Sequence, residues 1–83
     1  MALDINNLDI FLGKKINYFR EKMDWPLKTL ASTLGISIQQ LQRYEKGVNK
    51  ISASLLYEMA KVFQIDISCF FETFQDAGDN EKE

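Results

Sequence analysis

The sequence of 83 residues predicts an all-α fold, a compact bundle of five short helices. Three observations predict it. Apolar residues recur at steps of three and four in five successive segments, each segment is bounded by residues that start or stop helices, and no alternating β-branched run is present. A chain of this size builds one small core that is marginal without oligomerisation, a disulfide or a metal. One cysteine allows no intrachain disulfide, and without histidine the usual Cys/His zinc sets cannot form, so no metal or other cofactor is expected.

Residues 1–7 are expected to be loose, with Asn7 the N-cap of a first helix running to about Met23. Its inner face would be Leu8, Leu12, Ile16, Phe19 and Met23. Gly13 inside that helix costs about 1 kcal/mol relative to alanine, which points to the close approach of another segment. Asp24, Trp25 and Pro26 break the pattern, because the residue before proline avoids the helical region and proline suits the first turn of a new helix. The second helix places Leu27, Leu30, Ala31 and Leu34 on one face, and Gly35 ends it in a left-handed conformation.

Ser37 is the expected N-cap of a third helix, 38–46, that buries Leu41 and Tyr44, with Gly47 closing it and Val48, Asn49 and Lys50 forming a short loop. Ser52 caps a fourth helix with Leu55, Leu56, Met59, Ala60 and Phe63 inside. Asp66 caps a short fifth, carrying Ile67, Phe70, Phe71 and Phe74. The resulting domain is 8–74, followed by an acidic, polar tail, 75–83, expected to be disordered.

Composition excludes several functions. Without histidine the commonest general base and the triads built on it are missing, and there is no glycine-rich phosphate loop, so no catalytic residue is assigned. No apolar run reaches the ~18 residues of a membrane span, and the N-terminus lacks the basic start of a signal peptide, so a cytoplasmic protein is expected. With no second domain to house a sensor, no small-molecule ligand is expected either. The net charge of -2 hides an asymmetry: Lys14 to Lys50 carries +5, while residues 1–13 carry -2 and residues 51–83 carry -5. A basic middle flanked by acidic ends suits a protein with one face turned to phosphate.

That basic middle contains two short helices joined by a glycine turn, Leu27 to Lys46. Any tight helical hairpin shows as much. Here, however, the outer face of the second helix carries Gln39, Gln40, Gln42 and Arg43 in place of a Lys and Glu mixture, and these side chains suit purine edges and phosphates. Ala31, Gly35, Ile36, Leu41, Tyr44, Glu45 and Gly47 match in order and spacing the helix-turn-helix pattern of the phage lambda repressor and Cro-like DNA-binding proteins. The resemblance runs from Leu12 to Phe71, and the stretch Gln40 to Ser54 is similar to a subgroup of bacterial transcriptional regulators. It implies a lambda-repressor-like bundle and a sequence-specific transcriptional regulator, a repressor that binds a pseudo-palindromic operator in double-stranded DNA as a homodimer.

Ile38, Gln39, Gln40 and Arg43 are the expected base readers in the major groove, and Lys28, Ser37, Lys46, Asn49 and Lys50 the expected phosphate contacts. The family carries a small hydroxyl cap and then glutamine where this chain has Pro26 and Leu27; that glutamine contacts phosphate and braces the recognition helix, and Leu27 can do neither. Lys28, one residue on, would replace it as a point charge. The resemblance also implies a buried ion pair of Arg20 with Glu45. Ile67, Phe70, Phe71 and Phe74 form an apolar stripe too rich for the end of so small a chain, and the dimer interface is expected there. Tyr18, Trp25 and Tyr57 are expected at the core or its rim, and Cys69 as a small buried hydrophobe. The competing function is a protein-interaction module, an antitoxin-type partner that uses the same fold.

Overall fold

The computed structural model describes residues 5–72. It contains α1 (Ile5–Lys22), α2 (Leu27–Leu34), α3 (Ile38–Lys46) and α4 (Ala53–Phe63), followed by a short 3-10 helix, Ile67–Phe71; no strand occurs among the described residues. The fold is all-α, with four α-helices where the sequence suggested five. Its last element is a single tight turn of 3-10 geometry, which is normal for so short a piece. Phe74 and the acidic tail 75–83 lie outside the described residues.

All four α-helices end alike. Asp24, Gly35, Gly47 and Gln64 adopt left-handed conformations, with φ of 58°, 74°, 79° and 59°. In each case the next residue's N–H reaches the carbonyl five positions back: Trp25 to Arg20, Ile36 to Ala31, Val48 to Arg43 and Ile65 to Ala60, at 3.0 to 3.2 Å. These bonds satisfy carbonyls that the helix leaves open, and they turn the chain sharply enough for short helices to pack.

The helix starts are also capped. Ser37 Oγ accepts from the Gln40 N–H and Ser52 Oγ from the Leu55 N–H. Asp66 accepts from the Ser68 N–H, which holds its carboxyl below the ordinary 3.8. Pro26, expected as the first helical residue of α2, is instead its N-cap, with extended backbone and no side-chain cap bond. Asn7 is not a cap. It lies inside α1, where a cap preference of about 1 kcal/mol yields to the packing of this part of the helix against the loop after α3. Met23 lies past the end of α1 and is exposed, so it leaves the predicted inner face.

Leu12 and Ile16 of α1, Leu30 and Ala31 of α2, Leu41 of α3, and Leu56, Met59, Ala60 and Phe63 of α4 form the core, closed at one end by Phe70. Phe19, Phe63 and Phe70 meet with ring centroids 5.6 to 6.2 Å apart. Phe70 is 0 % exposed, so it belongs to the core and cannot line a dimer surface without unfolding the end of the chain. The predicted stripe therefore splits. Ile67 at 37 % and Phe71 at 53 % exposure stay on the surface. Cys69 is half-buried, Trp25 packs on the core and Tyr57 is exposed.

Candidate nucleic-acid interface

Helix α3 is held in place by α1. At Gly13 an added Cβ would stand 2.5 Å from the Tyr44 carbonyl oxygen and 2.6 Å from that of Glu45, so α1 lies with its backbone against the C-terminal turn of α3. Only glycine permits this approach. Four and seven residues further along α1, the side chains of Asn17 and Arg20 complete the junction. Arg20 Nε donates to Glu45 Oε2 at 2.7 Å, Arg20 Nη2 to Glu45 Oε1 at 3.1 Å, and Asn17 Nδ2 to the same Oε1 at 3.0 Å. Arg20 Nη1 donates to the Trp25 carbonyl at 2.7 Å. One buried guanidinium thus ties α1, the corner before α2 and the end of α3 together. The Glu45 hydrogen bond raises the Arg20 pKa above its ordinary value, outweighing the opposite effect of burial.

With its inner face spent on Leu41 and Glu45, α3 presents Ile38, Gln39, Gln40, Gln42 and Arg43 to the exterior. Gln40 is not free there. Its Oε1 accepts from the Ser37 N–H at 3.0 Å while its own N–H bonds Ser37 Oγ, closing a reciprocal capping box. The amide oxygen that a bidentate adenine contact would use thus already accepts one bond from the cap, whereas the Gln39 oxygen does not. The capping-box spacing of Ser37 and Gln40 is legible in the sequence, and it is the signal that separates Gln40 from Gln39.

The loop after α3 is tethered on two sides. Arg43 Nε donates to Asn49 Oδ1 at 3.2 Å, which joins an expected base reader to an expected phosphate contact. Lys50 Nζ lies 3.8 Å from Asp9, a buried carboxylate of α1, while the lysine side chain itself is largely exposed. At Gly47 an added Cβ would meet Ile10 Cα at 2.6 Å, so this loop too rests on α1. Lys28 on α2, Ser37 at the head of α3 and Lys46 at its end are all exposed.

Two residues that the sequence reading left out of the site also stand here. Gln42 and Lys14 line an open groove between α1 and α3, together with Asn17, Leu27, Glu45 and Lys46. Lys14 is one of many charges in the basic middle, and only the contact of Gly13 with α3 shows which of them lies beside that helix.

This arrangement, a capped helix carried across the end of a second helix and locked by a buried pair, is matched by a family profile described as helix-turn-helix over residues 16–68. The chain belongs to the Cro/C1-type helix-turn-helix family. Membership carries the non-enzymatic reading with it, since this is a family of DNA-binding regulators.

Among relatives of this helix-turn-helix protein, an uncharacterized transcriptional regulator in the ATPase CF(0) region of Rhodospirillum rubrum is 38 % identical over 71 residues, covering 86 % of this chain and 66 % of the relative. An HTH-type transcriptional regulator of Rickettsia conorii is 37 % identical, covering 88 % and 58 %. One from Sinorhizobium medicae is 37 % identical, covering 81 % and 48 %. The chain thus spans from about half to about two thirds of these relatives' length. No helix among the described residues is long and apolar enough to cross a membrane.

Proposed function

We propose that this helix-turn-helix protein is a sequence-specific transcriptional regulator, a cytoplasmic repressor that sets α3 into the major groove of duplex DNA. The observation that carries this reading is the face of α3. It is rigidly mounted through Gly13 and the Arg20–Glu45 pair, yet it exposes Ile38, Gln39 and Arg43 with no acidic side chain among them. Gln39 can pair with an adenine edge, Ile38 can touch a thymine methyl, and Arg43 can reach guanine or phosphate with the terminal nitrogens that Asn49 leaves free. Lys28, Lys46 and the tethered Asn49 and Lys50 set register on the backbone without reading sequence. Ser37 and Gln40 serve by capping the helix.

Selection of random duplexes by the purified protein at about 150 mM salt tests the proposal, because non-specific binding collapses at that ionic strength. An enriched sequence is the expected result. Gln39→Ala should then relax preference at one base position, losing about 1 to 3 kcal/mol of discrimination there. Failure of the wild type to enrich any sequence would overturn the DNA-reading proposal.

A two-fold dimer belongs to the same reading, since a single recognition helix covers only a few base pairs and two half-sites lie ~34 to 36 Å apart. Ile67 and Phe71 are its described exposed candidates. Phe71→Glu should shift sedimentation equilibrium toward monomer while leaving the fold intact; a wild type that stays monomeric at operator-binding concentrations excludes the dimer. The same exposed pair is what supports the second reading, an antitoxin-type interaction module. That reading predicts no enriched duplex without a bound protein partner.

A further inference from the structure

We infer that the groove between α1 and α3 is a seat for a DNA phosphodiester, with Lys14 of α1 and Lys46 at the end of α3 as its two arms. The inference rests on the DNA-reading proposal and extends its footprint onto a helix outside the helix-turn-helix unit. The groove has a volume of about 350 Å³ and is lined by Lys14, Asn17, Leu27, Gln42, Glu45 and Lys46. Its charges are unbalanced. Both oxygens of Glu45 are engaged by Arg20 and Asn17, so the one carboxylate in the lining is already neutralised. Among the described residues no carboxylate lies within 4.0 Å of the Lys14 or Lys46 ammonium, whereas Lys50 and Lys61 each have an acidic partner.

Position decides what kind of anion fits. Gln42 lies one helical turn beyond Ile38 and Gln39 on α3, so the groove borders the face that would meet the bases. A strand whose base edges are read by that face has its backbone running alongside. Leu27 supplies an apolar floor and no hydrogen bond, so the two ammonium groups provide the affinity there as point charges. A second shallow groove, sharing Lys14 and Asn17, continues along α1 to Tyr18, Glu21 and Lys22. Lys22 adds a third lysine along α1 and α3 beside Lys14 and Lys46, with the Glu21 carboxylate next to it.

The test uses the full chain and the duplex enriched by selection. Lys14→Met should lower the slope of log affinity against log salt by about one unit, so that its deficit relative to wild type changes about fourfold between about 50 and about 200 mM salt. The enriched sequence should not change. Scanning the duplex with single neutral methylphosphonates should reveal one position at which wild type loses affinity and Lys14→Met does not. Lys61→Met, on α4, should leave both slope and scan as in wild type. If wild type binds the duplex but Lys14→Met retains its slope and its methylphosphonate profile, the inference is wrong while the proposed function stands. Saturation of the Lys14 and Lys46 resonances by inorganic phosphate, with no such position in the duplex scan, would equally overturn it by assigning the groove to a free anion. A wild type that binds no duplex removes the proposed function itself.

Discussion

Gly13→Ala should destabilise the protein by about 3 kcal/mol and lower its melting temperature by roughly 10 to 20 °C. Alanine would ordinarily gain about 1 kcal/mol over glycine inside a helix. Here the added carbon meets two backbone carbonyl oxygens, Tyr44 at 2.5 Å and Glu45 at 2.6 Å. Ordinary contact distance is nearly 1 Å greater, and backbone in the capped last turn of α3 cannot rotate aside as a side chain can. The helices must separate, which loosens Leu12, Ile16 and Leu41 together and shifts α3 relative to everything that would bind DNA. Gly35 provides the internal control. An added Cβ there meets nothing within 4 Å, and its φ of 74° costs alanine about 1 to 2 kcal/mol by backbone strain alone. Thermal unfolding should therefore rank Gly13→Ala well below Gly35→Ala in stability. The reverse order would refute the close packing of α1 on α3.

Arg20→Met should cost about 3 to 5 kcal/mol, comparable to much of the stability available to a chain of this size. The loss comes less from the attraction of the pair than from what the substitution leaves behind. Glu45, with a side chain 10 % exposed, would keep its charge with only Asn17 to bond it, and the Trp25 carbonyl would lose its donor. Replacing both partners by apolar residues, Arg20→Met with Glu45→Leu, should recover most of that stability, because no charge then remains buried. If the pair serves to orient α3, the double variant should fold and yet read DNA less selectively. Denaturant unfolding of the two singles and the double separates these effects, and a cost below about 1 kcal/mol for Arg20→Met would place the pair among ordinary surface bridges.

Helix positions were readable because they depend on short-range rules. Gly35 and Gly47 close their helices in the left-handed conformation, Ser37, Ser52 and Asp66 start theirs, and Leu12, Ile16, Leu30, Leu41, Met59 and Phe63 are buried as their spacing requires. Asn7, Pro26 and Met23 differ from their expected places by one to three residues at helix ends, where a cap preference of about 1 kcal/mol competes with packing. At the last element a spacing of three, one and three reads as one helical stripe, but Phe70 is buried against Phe19 and Phe63 while Ile67 and Phe71 remain exposed, a division that packing decides and spacing does not.

What the sequence by itself determined, then, is the class of fold, the helix-turn-helix unit and the chemistry of the outer face of α3, since each is written within a few residues of chain. Gly13 even announced a close contact without naming its partner. Only the tertiary structure decided that the partner is the end of α3, that Arg43 holds Asn49 and Lys50 faces Asp9, and that Lys14 stands beside Lys46. These are meetings of residues up to 41 positions apart, as between Asp9 and Lys50. Local spacing carries periodicity and caps, whereas the crossing of one helix over another is set by the shape of the whole core.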